Sequence, residues 1–272
     1  MTAAETRDAE RFRSGRRDPA LAVLEGFHPL KHALRFGARV EVAVAPDPGA
    51  VCAAAAGLAL DLAGSLASLV RAVDRETFAS LGASGPAEVM ALARRPDVDV
   101  AALLAGGGHV GSDPGGGHVG SDPGGGHPGS PVVLLDNPRH LGNVGAAVRV
   151  AAAAGAAGVL VTGQADPWHP VALRGGAGLQ FALPVASCAS LDGCGRPVVA
   201  LDPDGDPFAP EAVPAGALLA FGSERRGLSP EVLERAELRL ALPMTPGVSS
   251  LNLATAVAAT LYTTICGGLY RR

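Results

Sequence analysis

Residues 132–163 read strand, helix, strand, and this pattern constrains the fold more than any other feature of the chain. "VVLLD" (132–136) and "GVLVTG" (158–163) are short, continuously apolar runs of the kind buried in a sheet. Between them "NVGAAVRVAAAAG" (143–155) has helical length, with Asn143 able to cap its start and Gly155 to end it. Further apolar runs follow at "PVVAL" (197–201), "ALLAFG" (217–222) and "LRLALP" (238–243). A helix is expected after Ser229-Pro230, and a last one from about Leu251 to Cys266. Repeated strand–helix alternation predicts an α/β domain on a parallel sheet over residues 132–272.

The 272 residues are 48% hydrophobic, enough for one large or two ordinary domains with real cores, but only 4% aromatic. Packing must therefore rely on small side chains that let backbones approach closely. Residues 19–105 mix apolar runs such as "RVEVAVAP" with helix-like stretches such as "DRETFASLG" and "PAEVMALARRP", and predict a smaller α/β domain. Residues 1–18 read as a flexible basic N-terminus. Residues 1–40 carry eight Lys or Arg against five acids, although the whole chain is at −4, so a polyanion would be met first at that end. The four cysteines lack C-x-x-C pairing or zinc-like spacing and read as reduced thiols. The N-terminus has no apolar signal region, and the most apolar later window is mostly Ala and Gly and is interrupted by Asp61; a soluble, cytoplasmic protein is expected.

Residues 106–131 contain the unit GGGHVGSDP twice in full and once altered. Each copy matches G-x-G-x-x-G, yet each runs into Ser-Asp-Pro or Ser-Pro, where a helix cannot readily start, and a dinucleotide site would not recur every nine residues. The stretch reads as a flexible Gly/His-rich linker between the domains. His109, His118 and His127 could chelate a metal adventitiously, but nothing fixes their geometry, and no metal is expected in the function.

Three loops at strand C-termini hold the unusual residues of the second domain: "NPRHLGNVGAAVR" (137–149), "FGSERRGLS" (221–229) and "LPMTPGVSSLN" (242–252). Ligands of open α/β sheets bind there. Asn143 stands six residues before Arg149; Gly222-Ser223-Glu224 precedes Gly227-Leu228; Pro243-Met244 leads to Ser250-Leu251-Asn252. In this order the three motifs resemble those of the SpoU/TrmH branch of the SPOUT RNA methyltransferases. The resemblance is close over 132–272, and "LEGFHPLKHALRFGARVEVAV" (24–44) looks like the start of the substrate-binding domain, similar to a ribosomal protein, that many members carry.

The resemblance implies a deep trefoil knot, S-adenosylmethionine as methyl donor, a homodimer formed through the knotted domain, and methylation of a ribose 2'-hydroxyl in structured RNA, ribosomal RNA first and transfer RNA as the alternative. By the same resemblance Arg149, Asn143, Glu224, Ser250 and Asn252 carry catalysis, and Leu201, Gly222, Leu242, Met244 and Leu251 surround the donor. Lys31, Arg35, Arg174 and Arg225 are candidates for RNA phosphate contacts. Val150 and "LATAVAAT" depart from the usual pattern at packing positions, and Arg225-Arg226 make the second motif more basic than usual. Taken singly, Asn143, Ser250 and Asn252 are equally helix caps, Glu224 a solvated loop acid, and the basic residues surface charges. Two rival functions stay open: a non-catalytic RNA-binding protein of the same fold, and a metal-handling protein using the His-rich repeat.

Overall fold

The computed structural model describes residues 3–106 and 129–266. The chain divides into two compact units, one of Met1–Asp97 with Trp168–Phe181 and one of Val98–Pro167 with Ala182–Arg272. The domain limits expected from sequence, 19–105 and 132–272, are thereby shifted in three places.

The first unit is built on a four-stranded sheet: β1 (Leu21–Glu25), β4 (Met90–Arg94), β2 (Val40–Ala45) and β3 (Val70–Ala72), in that spatial order. β4 runs antiparallel to both neighbours, while β2 and β3 are parallel. "PAEVMALARRP" was expected to be helical, and β4 corrects this. Its Met, Ala and Leu are good helix formers, yet residues 90–93 are all buried between β1 and β2, and tertiary burial outweighs propensities of a few tenths of a kcal/mol per residue.

The N-terminus is also corrected. Ala3–Gly15 form helix α1, whose Ala9 and Phe12 are buried in the core with Met90 and Leu92. Arg16 at its end reaches Glu25 Oε1 at 3.0 Å and donates to the carbonyls of Leu81 and Gly82. α2 (Phe27–Arg35), α3 (Pro48–Leu58), α4 (Ala63–Leu69) and α5 (Arg75–Ser80) complete the N-terminal part.

Helix α8 (Pro170–Gly175) and the turn Leu179–Phe181 belong to this unit as well. His32 Nδ1 donates to Ala177 O at 2.6 Å. Gly178 has φ +77, and a Cβ there would lie 2.6 Å from Pro29 O, so both conformation and space demand glycine.

The second unit carries a six-stranded sheet in the order β10-β8-β9-β5-β6-β7, every neighbouring pair parallel. The strands are β5 (Val132–Leu135), β6 (Gly158–Val161), β7 (Val185–Ser187), β8 (Val198–Pro207), β9 (Leu218–Phe221) and β10 (Leu238–Ala241). All expected strands are present, and β7 was missed because three residues give too short a signal. β5, β6 and β9 are buried at every position, as interior parallel strands are. The helices are α6 (Val100–Ala105), α7 (Leu141–Ala154), α9 (Pro230–Arg235) and α10 (Leu253–Leu261). α7 packs on α10 and buries Val144, Gly145, Ala147, Val148 and Ala151. These small residues permit the close approach that the composition implies.

α6 and the segment from Gly129 onward lie in the same unit, so the Gly/His-rich stretch does not join the two units, contrary to its reading as a linker between domains. The buried Arg196 fixes both of its ends. Its Nε donates to Leu103 O at 2.6 Å and its Nη1 to Gly216 O at 2.7 Å, while Gly216 N donates to Gly129 O at 2.7 Å. The repeat itself, with His109, His118 and His127, lies outside the described residues. No described helix is long and apolar enough to cross a membrane.

Candidate active site

The site forms where β5, β8, β9 and β10 end. β8 and β10 pair in register until Arg239 meets Ala200, after which Leu240 pairs with Asp206, leaving residues 201–205 of β8 as an outward bulge. Asp202 holds this bulge: its Oδ2 pairs with Arg239 Nη2 at 3.1 Å and its Oδ1 accepts from Asp204 N at 2.9 Å. The bulge presents Leu201, Asp202 and Pro203 to a cavity of about 240 Å³. Phe221, Gly222, Glu224, Leu242, Met244, Ser250 and Leu251 line it from the other strand ends. All five donor candidates of the sequence, Leu201, Gly222, Leu242, Met244 and Leu251, are thus gathered on one cavity.

Gly222 sets the shape of this wall. A Cβ there would overlap the backbone of Gly227 and Leu228, because Ser223 and Gly227 exchange backbone hydrogen bonds of 3.0 Å that fold 222–228 tightly on itself. The fold of this loop brings Glu224 back toward α7.

Three of the expected catalytic residues form one hydrogen-bonded chain. Asn252 Nδ2 donates to Asn143 Oδ1 at 3.1 Å, and Asn143 Nδ2 donates to Glu224 Oε1 at 2.7 Å. Asn252 also caps α10, its Oδ1 accepting from Ala254 N and Thr255 N. Asn143 is not the cap of α7: the helix starts two residues earlier, with His140 at the N-cap, and this frees the Asn143 amide to bridge the motifs. Burial would raise the Glu224 carboxyl, but the hydrogen bond from Asn143, the charge of His140 and the backbone N–H of Arg139 outweigh it and hold the group below its ordinary range. Glu224 Oε2 is buried with no partner among the described residues.

Ser250 is exposed on the cavity wall, and Arg149 is exposed on α7 with no hydrogen bond or ion pair among the described residues. Among the described residues no hydrogen bond joins Arg149 to the Asn252–Asn143–Glu224 chain.

The RNA candidates divide. Arg225 is exposed at the cavity. Lys31, in contrast, is buried. Arg35 forks onto Asp61 at 2.6–3.1 Å, and Arg174 reaches Glu25, whose side chain is fully buried, at 3.4 Å and Ser84 Oγ at 3.2 Å. Arg35 and Arg174 are bound by carboxylates of their own unit, a pairing that a lone sequence cannot show.

Asp136 was missed. It is buried at the end of β5 and accepts from Thr162 Oγ1 at 2.7 Å, Asn137 Nδ2 at 3.0 Å and Ser229 N at 2.6 Å. It so ties the start of the first motif loop to the end of the second. The signal was present, since a carboxylate directly ends the apolar run VVLL.

An open parallel sheet with a glycine-walled cavity at its carboxyl ends and a polar chain drawn from three loops is the arrangement at which α/β proteins bind ligands. The SpoU rRNA Methylase family model matches residues 130–262, so this part of the chain carries a SpoU-family domain. It is 34% identical over 142 residues to a 23S rRNA (adenosine(1067)-2'-O)-methyltransferase of Streptomyces laurentii, which covers 48% of this chain and 52% of that protein. It is also 34% identical over 145 residues to a 23S rRNA (uridine(2479)-2'-O)-methyltransferase of Streptomyces viridochromogenes, covering 48% and 50%. These alignments span about half the length of the curated relatives. The fold as a whole is similar to that of the SpoU methyltransferase AviRb from Streptomyces viridochromogenes, solved with AdoMet, at a TM-score of 0.72 and 23% identity over 99% of both chains.

Proposed function

We propose that this protein transfers the methyl group of S-adenosylmethionine to a ribose 2'-hydroxyl in structured RNA, with ribosomal RNA as the first substrate and transfer RNA as the alternative. The observation that carries this reading is the Asn252–Asn143–Glu224 chain, which joins the three motifs beside the cavity holding all five donor candidates. The SpoU-family domain supports a methyltransferase, and the two relatives named above act on the 2'-oxygen of 23S rRNA.

The cavity suits a nucleoside joined to an amino acid. Leu201, Phe221, Leu242, Met244 and Leu251 offer apolar surface to a purine, and Gly222 lets the loop 222–228 fold tightly at the cavity wall. When bound, the donor supplies an electrophilic methyl group on a sulfonium, chemistry that calls for no metal.

The ribose hydroxyl must be brought in line with that methyl and lose its proton as the oxygen attacks. Arg149, exposed and unpaired among the described residues, is free to grip the phosphate beside the target ribose and stabilise charge developing on the oxygen. A guanidinium is an awkward base, so the proton leaves through the neighbouring phosphate, a water or a transiently neutral arginine. Glu224, Asn143 and Asn252 hold the three loops in register, and Ser250 faces the acceptor ribose.

The same resemblance assigns the knot, the recruiting role of the ribosomal-protein-like first unit, and a homodimer through the second. Val248, Leu251 and Tyr262, large apolar side chains exposed on the second unit, support the dimer. Calorimetric titration with S-adenosylmethionine, repeated on Gly222→Ala, tests the donor site. Saturable binding by the wild type and its loss in the variant is the expected result; no binding by the wild type would leave an RNA-binding protein without the reaction.

A further inference from the structure

We propose that Arg139, Arg225 and Arg226 form a clamp for the phosphates of the RNA strand, holding the substrate backbone on the second unit at the rim of its cavity. This rests on the methyltransferase reading of the site and names the side chains that grip its substrate.

The arginines of the second unit fall into two groups. Arg196 is buried on two carbonyls, Arg235 pairs with Asp192 at 2.6 Å, and Arg239 pairs with Asp202 at 3.1 Å. Arg139, Arg149, Arg225 and Arg226 are all exposed, and none of their guanidinium groups has a hydrogen-bond or ion-pair partner among the described residues. All four belong to the first two motif loops and the helix that leaves the first.

Arg139 and Arg225-Arg226 flank one carboxylate without using their guanidinium groups on it. The backbone N–H of Arg139 hydrogen-bonds Glu224, and Asn143 takes its other interaction, while Arg225 and Arg226 follow Glu224 directly in the chain. His140, also exposed and close enough to act on the Glu224 charge, adds a further basic group to this rim. Guanidinium forks from two loops match successive phosphates of a strand laid across the cavity.

In the first unit, Arg11 and Arg94 pair with Glu41, Arg16 with Glu25 and Arg71 with Asp8, in addition to the pairs of Arg35 and Arg174, while Arg7, Arg13, Arg17, Arg39 and Arg75 are exposed without a side-chain partner among the described residues. Within the second unit, the described arginines whose guanidinium has no partner all lie on the first two motif loops and α7, and Arg225 lines the cavity.

The test measures binding of in-vitro-transcribed large-subunit ribosomal RNA by the full chain from low to moderate salt, for wild type, Arg139→Gln, Arg226→Gln, the double variant, and Arg35→Gln as a control. Each single rim substitution is expected to flatten the dependence of log affinity on log salt by about 0.7–0.9, the effect of one lost phosphate contact. The double variant should flatten it about twice as much, with S-adenosylmethionine affinity unchanged, and Arg35→Gln should leave the slope intact. An unaltered slope in the double variant, or equal flattening by Arg35→Gln, overturns the clamp. Failure of the wild type to bind this RNA or transfer RNA at all would instead overturn the RNA methyltransferase reading beneath it.

Discussion

Asp136 and Glu224 are two acids of one site in opposite circumstances. Asp136 accepts three hydrogen bonds from three segments, and Asp136→Asn turns one acceptor oxygen into a donor facing donors. The expected cost is about 2 kcal/mol or more, read as a lower denaturation midpoint with an unchanged denaturant slope; an unchanged midpoint would contradict it. Glu224 has burial working against its charge and hydrogen bonds working for it. A depressed carboxyl contributes its interaction above the ordinary value and loses it only as pH falls through the lower folded value. Wild-type methyl transfer should therefore show no acid limb from Glu224 above its ordinary 4.5. Asn143→Ala removes the strongest favourable hydrogen bond while burial remains, so an acid limb should move up in pH; a pH–rate profile identical to the wild type would separate Glu224 from the reaction.

Among the elements, the loop 222–228 and the segment 170–181 each hang on a position where the backbone leaves no room. Gly222→Ala pushes a methyl group into Gly227 and Leu228, and it should abolish measurable donor affinity while far-ultraviolet circular dichroism is retained. The second segment is held by His32, whose pKa burial lowers despite the opposing hydrogen bond to Ala177 O. A histidine with a lowered folded pKa must take up a proton on unfolding below its ordinary value of 6.5, so stability falls as pH drops through that value toward the folded one. Denaturation midpoints should decline between about pH 7 and 5, and His32→Asn should flatten the decline.

Periodicity made the strands and helices of the second unit legible, because parallel strands buried on both faces spell themselves as apolar runs. The motif spacing pointed to the residues that gather at their ends. What stayed hidden depended on neighbours distant in sequence: β4, a strand written in helix formers; Arg35 and Arg174, cations already matched by Asp61 and Glu25; and Asp136, two of whose three donors, Thr162 and Ser229, come from distant segments.

On the scale of the whole molecule, the units interleave in sequence, and the Gly/His-rich stretch begins and returns within the second. Replacing residues 107–128 with a short Gly-Ser connection is expected to leave donor binding and methyl transfer intact, since Arg196 and Gly216 hold the flanking Leu103 and Gly129. Lost activity would assign the repeat a part in the reaction. Arg196→Met, which strands the carbonyls of Leu103 and Gly216, should cost about 2–4 kcal/mol in the denaturation of the second unit. The most direct measurement is transfer of labelled methyl from S-adenosylmethionine to separated ribosomal and transfer RNA by the wild type and Arg149→Ala, with the product mapped by resistance to alkaline cleavage. Label in an alkali-resistant linkage, greatest on ribosomal RNA and lost in Arg149→Ala, is the expected outcome; label that alkali still cleaves past, or none on either RNA, would contradict ribose methylation.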